Sequence, residues 1–145
     1  MLSTRRIDTR FWKDDFTADL MPMEKYLYSY LITNPRGTGC GIYWLDINSA
    51  ASELGIEVEL ISKMLSYFQS CRKLIYTEET DEILLLDWYR YNKVEFDSGN
   101  EKLINDELRV VKNQVLLREL FRILKEENGV HETLLKGMFK DIQAV

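Results

Sequence analysis

Few side chains in this 145-residue chain could carry catalytic chemistry, and none is spaced to do so. The single histidine, His131, has no nucleophile and base arranged near it, and with Cys40 and Cys71 it falls short of a four-ligand zinc set. It reads as a surface residue. Gly37-Thr38-Gly39-Cys40-Gly41 superficially suggests a phosphate cradle, but it precedes a strand-like run rather than a helix and lacks the lysine of a phosphate loop. Glu78, Glu79, Asp81 and Glu82 are acidic enough to invite a divalent ion, yet lack the spacing of a calcium loop. The two cysteines read as small packing residues in a reducing compartment. These residues predict a protein that is not an enzyme and takes no cofactor or metal.

What remains is chemistry of recognition. Ser62, Lys63 and Ser66 share one face of a predicted helix, with Arg72 and Lys73 just beyond it, and Arg5, Arg6, Arg10 and Lys13 lie near the start. Such groups can hydrogen-bond bases or phosphates. The charge balance argues the other way. Residues 1–36 carry net +1, residues 37–92 net −5 and residues 93–145 net −1, together the overall −5, so no segment has the strong positive balance of a dedicated DNA-binding surface. Glu57, Glu59 and the acidic 78–82 stretch would face phosphates and repel them. Any DNA contact is therefore expected to be weak.

The elements that must position these groups follow from periodicity. Residues 1–21 read as an N-terminal arm, with Trp12 as its aromatic anchor. After Pro22, the spacing of Met23, Tyr26, Leu27, Tyr30 and Leu31 predicts a helix over 23–33, ended by Asn34-Pro35 and the following glycines. Residues 41–45 read as a strand. Asp46 or Asn48 caps a helix with Ile47, Ala50, Ala51 and Leu54 on one face, and Gly55 turns the chain into another helix over 57–70, its stripe Val58, Ile61, Leu65 and Phe68. Residues 73–77 and 83–88 form a hairpin with an acidic tip. Helix, strand, helix, tight turn, helix and hairpin is the order of a winged helix.

The predicted class is thus mainly α with a small β-hairpin (α+β), a winged helix-turn-helix over 22–92 followed by C-terminal helices. Residues 93–145 read as a linker to Asn100 and then a helical extension. Its main helix, Glu101 to Glu127, has no Gly or Pro and carries Ile104, Leu108, Val111 and Val115, then a wider stripe; Asn128-Gly129 ends it, before a short helix near 132–142. Val115, Leu116, Leu120, Phe121 and Leu124, with Trp88, Tyr89 and Tyr91, are the candidates for self-association, because so broad a stripe needs a partner surface. Trp44, Leu60 and Tyr67 add to the aromatic and apolar groups that a small core cannot all bury. No apolar run is long enough to cross a membrane and the start is charged, so a cytoplasmic, soluble protein is expected.

Phe11-Trp12, Leu20-Met21-Pro22, residues 25–35 from Lys25 to Pro35, Gly41-Ile42-Tyr43, residues 51–56 from Ala51 to Ile56, Leu74-Ile75-Tyr76 and residues 87–92 from Asp87 to Asn92 form a series in which the Trp-x-x-Tyr-Asn piece is the most specific. The series resembles phage and prophage replication proteins of the DnaD-like replisome organiser type. The likeness covers the N-terminal winged-helix region of that family and thins after Asn113. It implies self-association and primosome assembly with replication proteins such as a helicase loader, DNA binding being assigned there to a following domain. The residues given are expected to be too few for a full second domain of that kind, whether they are the whole protein or a fragment of a longer one. A winged-helix transcriptional regulator bound to a specific DNA site is the alternative.

Overall fold

The computed structural model describes the backbone of residues 4–92 and 98–126, and the side chains of residues 4–92 and 102–126. His131, the Asn128-Gly129 boundary and the terminal helix expected near 132–142 lie outside the described residues. After a 3-10 turn, Thr9–Trp12, come α1 (Asp15–Ala18), α2 (Pro22–Ile32), β1 (Ile42–Trp44), α3 (Ile47–Leu54) and α4 (Val58–Ser70). Then follow β2 (Leu74–Thr77), β3 (Glu82–Leu85), α5 (Trp88–Tyr91), α6 (Ser98–Arg109) and α7 (Gln114–Glu126). Helices predominate over one small antiparallel sheet, an α+β arrangement as expected.

The local causes are those written in the chain. Pro22 opens α2 at a position that needs no N–H donor, and the Glu24 carboxylate accepts the Met21 N–H at 2.8 Å. Asp46, rather than Asn48, caps α3 by accepting from the Asn48 and Ser49 N–H groups. Gly55 ends α3 in the left-handed region (φ 70°), where a side chain would strain the backbone. The turn brings α4 against α3, and Ile61, Met64, Leu65 and Phe68 point inward. Phe68 meets Phe16 and Tyr28 edge to face at 5.9 and 5.4 Å, which draws the N-terminal arm into the same core.

β3 is the central strand, antiparallel to β1 and β2 on either side. Register and alternation divide the sheet faces. Tyr43, Ile83, Leu85 and Leu74 face the helices α2 to α4, with the Tyr43 hydroxyl donating to the Leu31 carbonyl at 2.8 Å. Ile42, Leu84, Ile75 and Glu82 face the opposite way. Every residue of β3 is buried, Glu82 included, because α7 lies against that second face. Leu116, Leu117, Leu120 and Leu124 are all buried there.

The structure departs from the expected pattern at several places, the first being Glu82, expected at the acidic tip but buried as the opening residue of β3. Trp12 is exposed, and Phe11 is the anchor, stacked on Tyr28 at 6.1 Å. In α2 the buried residues are Leu27, Tyr28 and Leu31, while Met23 and Tyr26 face out. The last strand stops at Leu85, and Trp88–Tyr91 is a helical turn because the Trp88 indole and the Tyr89 hydroxyl reach back to the Gly39 and Cys40 carbonyls, at 3.0 and 2.8 Å. α6 begins at Ser98, inside the stretch expected to be linker as far as Asn100. Finally, the long helix expected over 101–127 is broken between Arg109 and Gln114. The break has no Gly or Pro. Instead the Glu82 carboxylate, reaching from β3, accepts the N–H groups of Lys112 and Asn113, each at 2.9 Å, and the Asn113 side chain accepts the Val115 N–H.

Candidate protein and nucleic-acid interface

The outward face of α4 carries Glu59, Ser62, Lys63, Ser66, Tyr67 and Ser70, all exposed. A shallow polar groove runs beside it, lined by Ile47, Ser62, Leu65, Ser66, Gln69, Tyr76 and Glu78. Its geometry is held from the hairpin. The Gln69 carboxamide accepts the Tyr76 N–H at 3.0 Å, and the Tyr76 hydroxyl donates to Asp81 at 2.8 Å. Partial burial and that acidic acceptor push the Tyr76 phenol above its ordinary range, so it remains a donor at any physiological pH. Among the lining residues there is no cation and one carboxylate, Glu78, so the groove does not suit a phosphate.

The basic residues expected at DNA divide into two sets. Lys63 and Arg72 are exposed, Arg72 with a positive φ of 59° where α4 gives way to β2. Ser62 and Ser66 share that exposed face, and Arg6 is exposed at the rim of a cleft beneath the arm. Arg5, Arg10 and Lys73 are engaged within the protein. The Arg5 guanidinium donates to the Gly37 carbonyl and lies 5.7 Å from the Trp88 ring centre. Arg10 pairs with Asp8 at 2.9 Å and lies over the Tyr91 ring, and the Asp8 contact holds its pKa above the ordinary arginine value. Lys73 pairs with Asp87 at 3.0 Å and sits over the Phe16 ring. Arg5 and Lys73 are partly buried in these contacts, while Arg10 is exposed but already neutralised by Asp8. Moving any of them to DNA would break an internal contact.

The glycine-rich loop is likewise committed. Its Gly39 N–H donates to the Glu107 carboxylate at 2.7 Å, while the loop's carbonyls receive Arg5, Trp88 and Tyr89. The one anion it cradles is a side chain of α6. Cys40, beside it, is wholly buried, and burial pushes its thiol up to about 11, which suits a packing role. Among the described residues there is no cluster of three or more potential metal ligands. No described helix is long and apolar enough to cross a membrane.

The self-association candidates are largely spent within the chain. Trp88, Tyr89, Leu116, Leu120 and Leu124 are buried, Phe121 and Tyr91 half-buried, and Val115 alone of the set is exposed. A dimer surface made from the buried ones would first have to open this core. Exposed apolar side chains lie elsewhere, singly at Trp44, Leu60, Tyr67, Leu103 and Val110 and grouped at the start of α2. Trp12 (64% exposed), Met21 (69%), Met23 and Tyr26 surround the start of α2, and Trp12, Pro22, Lys25, Tyr26 and Ser29 line a groove there. Periodicity could not single these out, since Met23 and Tyr26 read as core. The available signal was the proximity of a second aromatic, Phe11, which takes the anchoring position and leaves Trp12 outside.

No protein-family model, curated protein or solved structure matches this chain. The chain presents an apolar, aromatic groove at α2 and an α4 face whose charges are mixed and whose neighbouring hairpin tip, Glu78, Glu79 and Asp81, is acidic and exposed.

Proposed function

We propose that the chain is a winged-helix assembly factor of the replisome-organiser kind, which works by binding protein and contacts DNA only weakly. The winged-helix assignment is supported by the element order from α2 to β3, by the tight turn at Gly55 between α3 and α4, and by the sheet order β1-β3-β2. In such a fold α4 would be the recognition helix and the 78–81 turn the wing. The resemblance of the segments named above to DnaD-like proteins supports the replication role, with a helicase loader as the partner class.

The observation that carries the choice of protein over DNA is the aromatic groove of Trp12, Pro22 and Tyr26. Exposed Trp and Tyr beside apolar side chains are typical anchors of protein interfaces. By contrast, the α4 face begins with Glu57 and Glu59 and is flanked by an acidic wing. Three of the expected basic contacts are already paired within the chain.

Parallel titrations by fluorescence anisotropy test this. A purified replicative helicase loader should bind, and Trp12→Ala should weaken it by about tenfold or more, the effect of losing an interface anchor. Labelled duplex DNA should bind weakly, lose its affinity steeply with salt, and bind less well to the Arg72→Ala, Lys63→Ala double variant. A nanomolar, sequence-selective DNA complex that persists at about 200 mM salt would overturn the reading in favour of a transcriptional regulator.

A further inference from the structure

We propose that the break between α6 and α7 is a latch, and that releasing it lets two copies of this chain exchange their α7 helices. This deepens the assembly reading by naming a second copy as a partner, and it rests on that reading only for its biological use.

The break consists of four residues, Val110, Val111, Lys112 and Asn113. None is Gly or Pro, and the pattern on both sides is helical. Nothing local obliges the chain to leave the helix there, apart from the mild reluctance of the two valines and the capping side chain of Asn113. The decisive contact is remote. Glu82 is 6% exposed, and its two carboxylate oxygens each accept one backbone N–H, from Lys112 and Asn113. In an unbroken helix those same N–H groups would bond to the carbonyls of Leu108 and Arg109. The two arrangements satisfy the same donors, and the buried carboxylate selects the bent one.

A helix running unbroken from Ser98 to Glu126 would be about 43 Å long and would carry Leu116, Leu117, Leu120 and Leu124 away from their own sheet. The sheet face that they leave, with Leu84 of β3 and Ile42 of β1, would then be uncovered. Both surfaces are complementary by construction, since they pack together in the closed chain. A second copy opened in the same way supplies the missing half of each, giving a closed two-fold dimer without a new interface. The α6 half stays seated, because Ile104 and Leu108 are buried and Glu107 holds Gly39.

Two substitutions separate this from ordinary association. Glu82→Gln keeps the shape but replaces one acceptor oxygen with a donor, so the latch weakens. Gln114→Pro acts oppositely: Gln114 is the exposed first residue of α7, where proline is tolerated, but in an unbroken helix it would remove a hydrogen bond and clash with the preceding turn. Mass is measured by light scattering after unfolding and refolding, with helicity followed by circular dichroism. Glu82→Gln should dimerise about tenfold or more tightly than the wild type, the scale of one lost charge-assisted hydrogen bond. Adding Gln114→Pro should return it to monomer with α7 still formed. A folded Glu82→Gln that stays as monomeric as wild type would overturn the proposal, as would equal dimerisation with and without Gln114→Pro. Loss of fold in Gln114→Pro alone would do the same, since the closed chain has room for it. If Glu82→Gln fails to fold, wild type and Gln114→Pro are refolded side by side at high concentration. A dimer formed by wild type and missing from Gln114→Pro supports the exchange, and no difference between them refutes it. Helicase-loader binding by Trp12→Ala, away from the elbow, reports on the assembly reading separately.

Discussion

Leu120→Ala distinguishes most directly between a stripe that faces a second molecule and one that completes the chain's own core. Leu120 is wholly buried on α7, in a row with Leu116, Leu117 and Leu124 against the second face of the sheet. Truncation to alanine removes three carbon groups, worth about 2.4 kcal/mol at roughly 0.8 kcal/mol each. The cavity left behind adds a further term, because rigid neighbours on β3 and α7 relax only in part, which brings the expected loss to about 3 kcal/mol. The slightly better helix propensity of alanine offsets only a few tenths of that. Against a total stability of about 5–15 kcal/mol the loss is large, and it should lower the melting temperature by roughly 10 °C. The assay is urea unfolding followed by circular dichroism, with mass by light scattering on the same samples. Val115→Ala, on the same helix but exposed, is the control and should cost less than about 0.5 kcal/mol. If Leu120→Ala loses less than about 1 kcal/mol while the protein changes from oligomer to monomer, the stripe serves assembly rather than the fold.

Gly41→Ala should destabilise by more than about 2 kcal/mol, because Gly41 has φ 87° and an added Cβ would sit 3.0 Å from Trp88; a wild-type melting curve for that variant would show that the loop yields where the structure says it cannot. The pH dependence near α3 has a definite sign. Glu53 accepts from Arg36 at 2.7 Å and Tyr30 at 2.9 Å, and these bonds hold its folded pKa below the ordinary glutamate value of 4.5. The stability it contributes is therefore present above that value and is lost as pH falls through the lowered folded one. The pair is largely solvent-screened, so the effect is small; Glu53→Gln should flatten the acid limb of the melting temperature against pH, and identical acid limbs would dismiss the contribution.

Much of this protein was legible in its residues because the causes are local. The proline at the start of α2, the aspartate that caps α3, the glycine that ends it and the stripe of α4 each act within a turn or two of their own position. So does the charge pattern, which already weakened the case for a DNA-binding surface. What sequence could not decide was every choice between two residues of equal apolarity, or between two partners for one donor. Phe11 and Trp12 are adjacent aromatics, and only the position of Tyr28 and Phe68 settles which goes inside. Arg5, Arg10 and Lys73 look available until Gly37, Asp8 and Asp87 are brought beside them from other parts of the chain or by a local turn. Residues 101–126 hold no Gly or Pro and only mild local reluctance, at Val110, Val111 and the capping Asn113, to form one helix; a carboxylate about thirty residues earlier in the chain, buried by the sheet it belongs to, joins that reluctance and breaks the helix in two. Period and propensity are sums over neighbours in sequence, whereas burial and hydrogen-bond exchange depend on neighbours in space, and those exist only once the sheet has formed.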